Sequence, residues 1–365
     1  MKSIMTNRFA QVPTADIPRA SFDRTHGVKT AFDSGYLVPI LVDEALPGDT
    51  FNVNMTAFAR LSTPLHPIMD NMFLDTFFFA VPIRLVWDNF RKMMGEQENP
   101  GDSIDFTVPQ MVAPAGGHAN ESLSDYLGIP TQVASLTHSS LWHRAYNLIW
   151  NEWFRDQNLQ NSVTVDKDNG PDTSTDYVLL RRGKRHDYFT SSLPWTQKGD
   201  AVQIPLGDYA PVYGHSLDFD GNDDADNRIQ VYDAQGASAN LRTFVTNAAS
   251  NTLVGNSTGS GDGELRADLS LATASTVNEL RQAFQIQKLL ERDARGGTRY
   301  IELILSHFGV QSPDQRVQRP EYLGGGSTPV NITPIAQTSE TATTPQGTLA
   351  AMGTVGVNNN GFVKS

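Results

Sequence analysis

Between Phe51 and Leu61 apolar and polar positions follow a two-residue period. Phe51, Val53, Met55, Ala57, Ala59 and Leu61 fall on one face, with Asn52, Asn54, Thr56 and Arg60 on the other. Successive side chains of a strand point to opposite faces, so this pattern predicts a half-buried β-strand. A further β signal runs over Tyr36–Val42, and Pro47-Gly48-Asp49 supplies a turn between the two. From Met72 to Ile83 the chain is almost continuously apolar, with Phe73, Leu74, Phe77, Phe78, Phe79 and Val81. Such a run predicts a strand covered on both faces, ended by Pro82.

Helical periodicity is rarer. Over Ser139–Asn158, Trp142, Ala145, Tyr146, Ile149 and Trp153 share a stripe, which reads as core packing or a subunit interface before it reads as a cofactor pocket. Thr276-Val277-Asn278-Glu279 is a capping box opening a second helix, with Val277, Leu280, Phe284 and Leu290 on its apolar side and Gly296-Gly297 as its stop. A third helix is expected over Tyr300–Phe308, closed by Gly309. Few helices among short strands predict a mainly β chain, a sandwich or barrel with long insertions.

Composition narrows the chemistry. The chain has 365 residues, 39% hydrophobic, enough for a sizeable core. Its formal net charge is −12, so the surface as a whole is a poor match for nucleic acid. It contains no cysteine, which removes disulfides, thiolate metal sites and thiol nucleophiles together. No apolar run follows Lys2, so a secretory leader is not expected, and Phe77–Ile83 is too short to span a bilayer.

Five segments follow. Residues 1–35 read as an extended, slightly basic arm carrying Arg8, Arg19, Arg24 and Lys29, and residues 36–206 as the β core with its inserted helix. Residues 207–266 are polar and strongly acidic, including Asp218, Asp220, Asp223, Asp224, Asp226 and Asp233, and read as a solvent-facing insertion. Residues 267–323 read as a helical segment packed on the core. Residues 324–365, rich in Gly, Thr and Asn, read as a mobile tail or long surface connection.

No reactive constellation emerges from the motifs. Gly255-Asn256-Ser257-Thr258-Gly259 has the letters of a nucleophile elbow, but that turn must follow a buried strand and open a helix, and its flanks here are polar and glycine-rich. The acidic run from Asp218 misses the calcium-loop register, with Asp223 where glycine is required and Ile229 where glutamate is. His138 and His143 are five apart and the other histidines scattered, so neither a metal nor a cofactor is expected. Arg181-Arg182-Gly183-Lys184-Arg185 is the densest basic cluster. It reads as a solvated turn or inter-subunit ion-pair patch, with contact to packaged nucleic acid as the sharper alternative.

Longer stretches carry a resemblance. Ala15-Asp16-Ile17-Pro18-Arg19, Asp43-Glu44-Ala45-Leu46-Pro47-Gly48-Asp49-Thr50-Phe51, Leu85-Val86-Trp87-Asp88-Asn89, Leu280-Arg281-Gln282-Ala283-Phe284-Gln285, Glu291–Tyr300 and Arg319–Ser327 are among them. On these the chain resembles the major capsid proteins of the Microviridae, in particular the gokushovirus-like bacteriophages. The resemblance spans most of the sequence except about 214–264. It implies a viral jelly roll of the eight-stranded type with long loop insertions. One insertion would project from the shell at the three-fold axes, where the acidic segment would sit. It implies a T=1 icosahedral shell around circular single-stranded DNA, and a virion protein assembled in the bacterial cytoplasm. The implied partners are further copies of itself through a pentameric precursor, a small basic DNA-binding protein, scaffolding and pilot proteins, and a host receptor met by the insertion. It also implies further strands beyond the Gly-rich stretch. The sequence given is therefore expected to be a piece of a longer protein, the other reading being that another chain supplies those strands. No catalysis is implied. The competing readings are a cellular jelly-roll module binding carbohydrate or another ligand, and a β-rich hydrolase using Ser257.

Overall fold

A computed structural model describes residues 18–62, 68, 70–183, 185–203, 212–213, 266–267, 276–336 and 348–364. Its strands are β1 (Thr50–Arg60), β2 (Phe73–Ala80), β3 (Gln110–Val112), β4 (Thr137–Ser139), β5 (Val212–Tyr213), β6 (Arg266–Ala267), β7 (Glu321–Pro329), β8 (Asn331–Ala336) and β9 (Thr348–Lys364). Its helices are α1 (Phe90–Met93), α2 (Leu123–Tyr126), α3 (Leu141–Ile149), α4 (Val277–Gly296), α5 (Tyr300–Phe308) and α6 (Asp314–Val317). All strand ladders are antiparallel: β1-β9-β8, β2-β7, β3-β4 and β5-β6. The chain is thus β-rich with few helices, and it divides into two compact units, Met1–Arg185 with Pro313–Ser365, and His186–Ser312.

In the first unit, strands from the start of the chain pair with strands from its end. β1 runs against the second half of β9, from Thr50↔Lys364 to Arg60↔Thr354, and β8 takes the first half, from Ala336↔Thr348 to Asn331↔Thr354. The predicted period is realised along β1, whose residues alternate exposed and half-buried throughout. Phe58 is the exception in kind, a large apolar side chain 77% exposed on the polar face. β2 meets its expectation in mid-strand. Thr76 and Phe78 are buried on one face, and on the other Phe77 and Phe79 pack against Phe154, Trp153 and Tyr322 at ring-centroid distances of 5.1–6.4 Å.

Two expectations are corrected. Tyr36–Val42 is not a strand. It makes one isolated bridge, Tyr36↔Arg181, and one backbone bond from Leu37 to Leu180, and Pro39 has no N–H with which to extend the ladder. The stretch from residue 324, expected to be a tail or connection, instead carries most of β7 and all of β8 and β9. Glycine reads as loop, but here it permits close strand approach: a β-carbon on Gly325 would overlap the Thr76 carbonyl of β2. A bulge between Phe78 and Phe79 leaves Leu323 without an opposite residue. In β9, Val355 and Val357 are buried while Gly356 and Asn358 are exposed, so a short two-residue period is present after all.

The helical expectations hold. The α3 stripe packs in a core of Met111, Leu123, Leu127, Ile129, Tyr146 and Tyr177, with Trp142 against it. A π-helical turn over Trp150–Phe154 continues α3 and delivers Trp153 and Phe154 to β2. In the second unit, Thr276 and Glu279 close the predicted capping box of α4, and Gly309 ends α5 in the left-handed region. β5 and β6 join residues on either side of 214–265, pairing Val212 with Ala267 and Tyr213 with Arg266.

Gly325→Ala is expected to lower stability by about 1–3 kcal/mol through overpacking against β2. Gly356→Ala, which meets nothing within 4 Å, is expected to be neutral or slightly stabilising. Denaturant unfolding of the two variants checks this, and equal effects would show that the β2–β7 approach does not require glycine.

Candidate functional site

The predicted basic residues sort into distinct environments. Arg8 and Lys184 lie outside the described residues, as do Asp218, Asp220, Asp223, Asp224, Asp226, Asp233 and Ser257. Lys29 is exposed on the arm. Arg19 donates to the Gly48 carbonyl, and Arg24 pairs with Asp43 at 2.8 Å. Arg181 donates to the Tyr36 hydroxyl at 3.1 Å and lies over its ring. Arg182 and Arg185 converge on a single carboxylate, Asp75 of β2. Each also covers an aromatic face, Arg182 that of Phe77 at 5.0 Å and Arg185 that of Phe73 at 3.8 Å, and Arg185 donates to Ser327 of β7. Burial alone would raise the Asp75 carboxyl, but hydrogen bonds from Ser327, Arg182 and Arg185 outweigh it and hold it below the ordinary carboxylate range. A cleft of about 320 Å³ opens here, lined by Asp75, Phe77, Arg182, Arg185, Tyr322 and Ser327. Through these pairs Arg182 and Arg185 are held on the β2–β7 strands, with one carboxylate against two guanidiniums.

Deeper in the same unit lies a polar group that sequence reasoning did not assemble. His118, His138 and His143 stand with ring centroids 5.1, 5.3 and 6.5 Å apart. His138 Nδ1 is 3.0 Å from the Ser139 carbonyl, which can only accept, so Nδ1 carries the proton and Nε2 is left as an acceptor. His118 Nε2–H then donates to it across 2.9 Å. His143 is fully buried, with Nε2 2.9 Å from Ser124 Oγ and Nδ1 without a partner. The tautomer that strands no buried N–H donates from Nε2 to Ser124, so the serine is an acceptor and is not primed for attack. Burial, and after it the neighbouring His138 and His118, pushes His143 down to about 3, while burial and then His138 lower His118. Among the described residues no group of three or more His, Asp or Glu side chains is arranged to hold a metal ion.

Beside the histidines, Arg144 of α3 is wholly enclosed. Its Nε donates to Asp172 at 2.7 Å, it pairs with the same carboxylate through a second nitrogen, and it reaches the carbonyls of Val86 (3.0 Å) and Asp168 (2.8 Å). Tyr177 donates to Asp172 at 2.8 Å. Burial would raise the Asp172 carboxyl, yet the bonds from Arg144 and Tyr177 keep it lowered, and burial followed by the Asp172 bond raises the Tyr177 hydroxyl. Arg144, Asp172 and Tyr177 are buried, while the Asp168 carboxylate that pairs with Arg144 at 3.1 Å is exposed, an arrangement that suits a framework. Arg144 was invisible as a functional position, since a helical arginine reads as surface and its acid lies 28 residues away in an irregular loop.

The geometry therefore presents long strand ladders, exposed strand and arm surface, and enclosed polar groups. A family model described as Capsid protein (F protein) matches residues 10–365. The chain belongs to this capsid family. It is 50% identical to the Capsid protein VP1 of Bdellovibrio phage phiMH2K, over 98% of this chain and 68% of that protein. It is 40% identical to the Capsid protein VP1 of Chlamydia phage 1 (96% and 69%) and 37% identical to that of Spiroplasma virus 4 (95% and 66%). Its role is that of a structural capsid protein of the virion, built to associate into a shell. None of these relatives favours the cellular binding-module reading. No helix among the described residues is long and apolar enough to cross a membrane.

The depressed histidines make the fold acid-sensitive. A group whose folded pKa lies below its unfolded value near 6.5 binds a proton preferentially in the unfolded state, so its contribution is intact above pH 6.5 and declines toward pH 3. Stability is expected to fall by up to about 1.4 kcal/mol per pH unit for His143 in that window. Urea titrations between pH 7 and pH 4.5 test it. His143→Gln should flatten the dependence, and an unchanged slope would remove His143 as its source.

Proposed function

We propose that this chain forms the wall of a T=1 icosahedral shell that encloses the circular single-stranded DNA of a small bacteriophage, using a jelly-roll body. The observation that carries this reading is the capsid-family match across residues 10–365. The antiparallel ladders between opposite ends of the chain support the jelly-roll assignment, because Greek-key strand orders return late strands beside early ones. No catalytic step is assigned, since the Ser124–His143 side-chain contact is buried and wrongly polarised for attack.

The net charge of −12 supports a division of labour in which a separate small basic protein neutralises most of the DNA. Scaffolding and pilot proteins are the further expected partners, and assembly is placed in the host cytoplasm. The acidic segment 207–266 is read as the surface protrusion, with the β5–β6 pair at its base and a host receptor as its target. Arg181, Arg182 and Arg185 are read as a β2–β7 clamp near a subunit contact before a DNA contact, because Asp75 and Tyr36 already engage them.

Expression with the scaffolding partner is expected to give uniform closed particles by sedimentation and electron microscopy, with single-stranded DNA inside those recovered from infected cells. A chain that stays monomeric at high concentration would contradict the shell. Deleting residues 214–264 should leave particle formation intact, and a deletion that abolishes folding of the rest would contradict the protrusion.

A further inference from the structure

Residues 18–35 are exposed at every position. Among the described residues no backbone-to-backbone hydrogen bond between segments involves residues 18–34, so the segment joins none of the described ladders. It is nevertheless held in place. Arg19 donates to the Gly48 carbonyl, Arg24 pairs with Asp43, and the Tyr126 hydroxyl donates to the Ala31 carbonyl at 2.9 Å. These polar tethers face the arm's own chain and leave its large apolar side chains outside, with Phe22 80%, Val28 65% and Phe32 44% exposed. Three such side chains on one polar-tethered segment are apolar surface of the kind that an interaction partner covers.

We infer that residues 18–35 are an assembly strap, whose exposed Phe22, Val28 and Phe32 pack against a second copy of this chain. The inference rests on the shell reading, since a capsid is made by association of like subunits. Charge selects protein over nucleic acid as the occupant. Arg19, Arg24 and Lys29 face Asp23 and Asp33 in the same segment, a net charge of only +1, and two of the three cations are already engaged within the chain. A phosphate surface would ask for the reverse, free cations and few bare apolar groups. Arg19 and Arg24 are thereby reassigned from DNA contact to holding the strap in position.

These 365 residues hold no cysteine, so Val28→Cys places a single attachment point for a benzophenone maleimide within them. Particles assembled from this labelled protein and irradiated should yield cross-links between two copies, seen as a dimer band whose joined peptides include residue 28. Cross-links confined to the label's own chain, or formed to DNA, overturn the inference. In parallel, Phe22→Ser with Phe32→Ser should leave the unfolding midpoint unchanged while the yield of particles falls about tenfold or more. A double variant that assembles like the wild type overturns the strap and leaves the shell reading standing. A wild-type chain that never assembles overturns the shell reading first, and the strap with it.

Discussion

Closure of the chain's two ends on one another is the constraint on which the first unit depends. β1 and β2 find no partner in each other, so each waits for a strand from the far end, β9 for one and β7 for the other. The Thr76–Gly326 contact spans 250 residues of sequence. Loop-closure entropy grows only logarithmically with length, so so long a separation is tolerated once the ladders form. It does require that those ladders be specific. Gly325 supplies part of that specificity by admitting the Thr76 carbonyl where any side chain would collide, and Asp75 supplies more by gathering Arg182 and Arg185 onto the same pair of strands. Within the first unit, the residues from Val81 to Arg185 lie in sequence between the two halves of this closure.

Polar chemistry inside that unit serves the same end. Arg144 joins α3 to the Val86 and Asp168 carbonyls and to the Asp172 carboxylate and leaves no exposed nitrogen. Replacing such a pair by apolar side chains is often neutral for stability, whereas removing one partner is costly, so its contribution here is to fix which loop meets which helix. His143 and Ser124 have the residue types of a catalytic dyad and the environment of a core. A depressed imidazole without an acid behind it, sealed from solvent, is a structural hydrogen bond with an acid limit on its stability.

Local signals in the sequence were legible wherever the physics was local. The period of β1, the capping box at Thr276 and the Gly309 stop each depend on neighbours within a few residues, and each stands in the structure as read. Tyr36–Val42 misled because its apolar side chains pack beside Tyr146 and Leu180 without a strand partner on either edge. The glycine-rich stretch misled in the opposite direction. Gly324 to Gly326 has the composition of a linker, and only the position of β2 across from it reveals that the missing side chains make room for a strand. The histidine group and the Arg144–Asp172 pair draw on segments up to 28 residues apart that meet only after folding, so spacing carried no trace of them. The family was legible from long runs of matching residues, which record the whole fold at once.

In the proposed shell each copy pairs its own early and late strands, and its arm reaches the next copy. A reconstruction by electron cryo-microscopy of particles formed by the intact protein tests that most directly. The predicted result is a closed icosahedral shell in which β1 pairs with β9, and β2 with β7, inside a single copy. A particle in which those strands belong to different copies, or a chain that forms no closed shell, would contradict it.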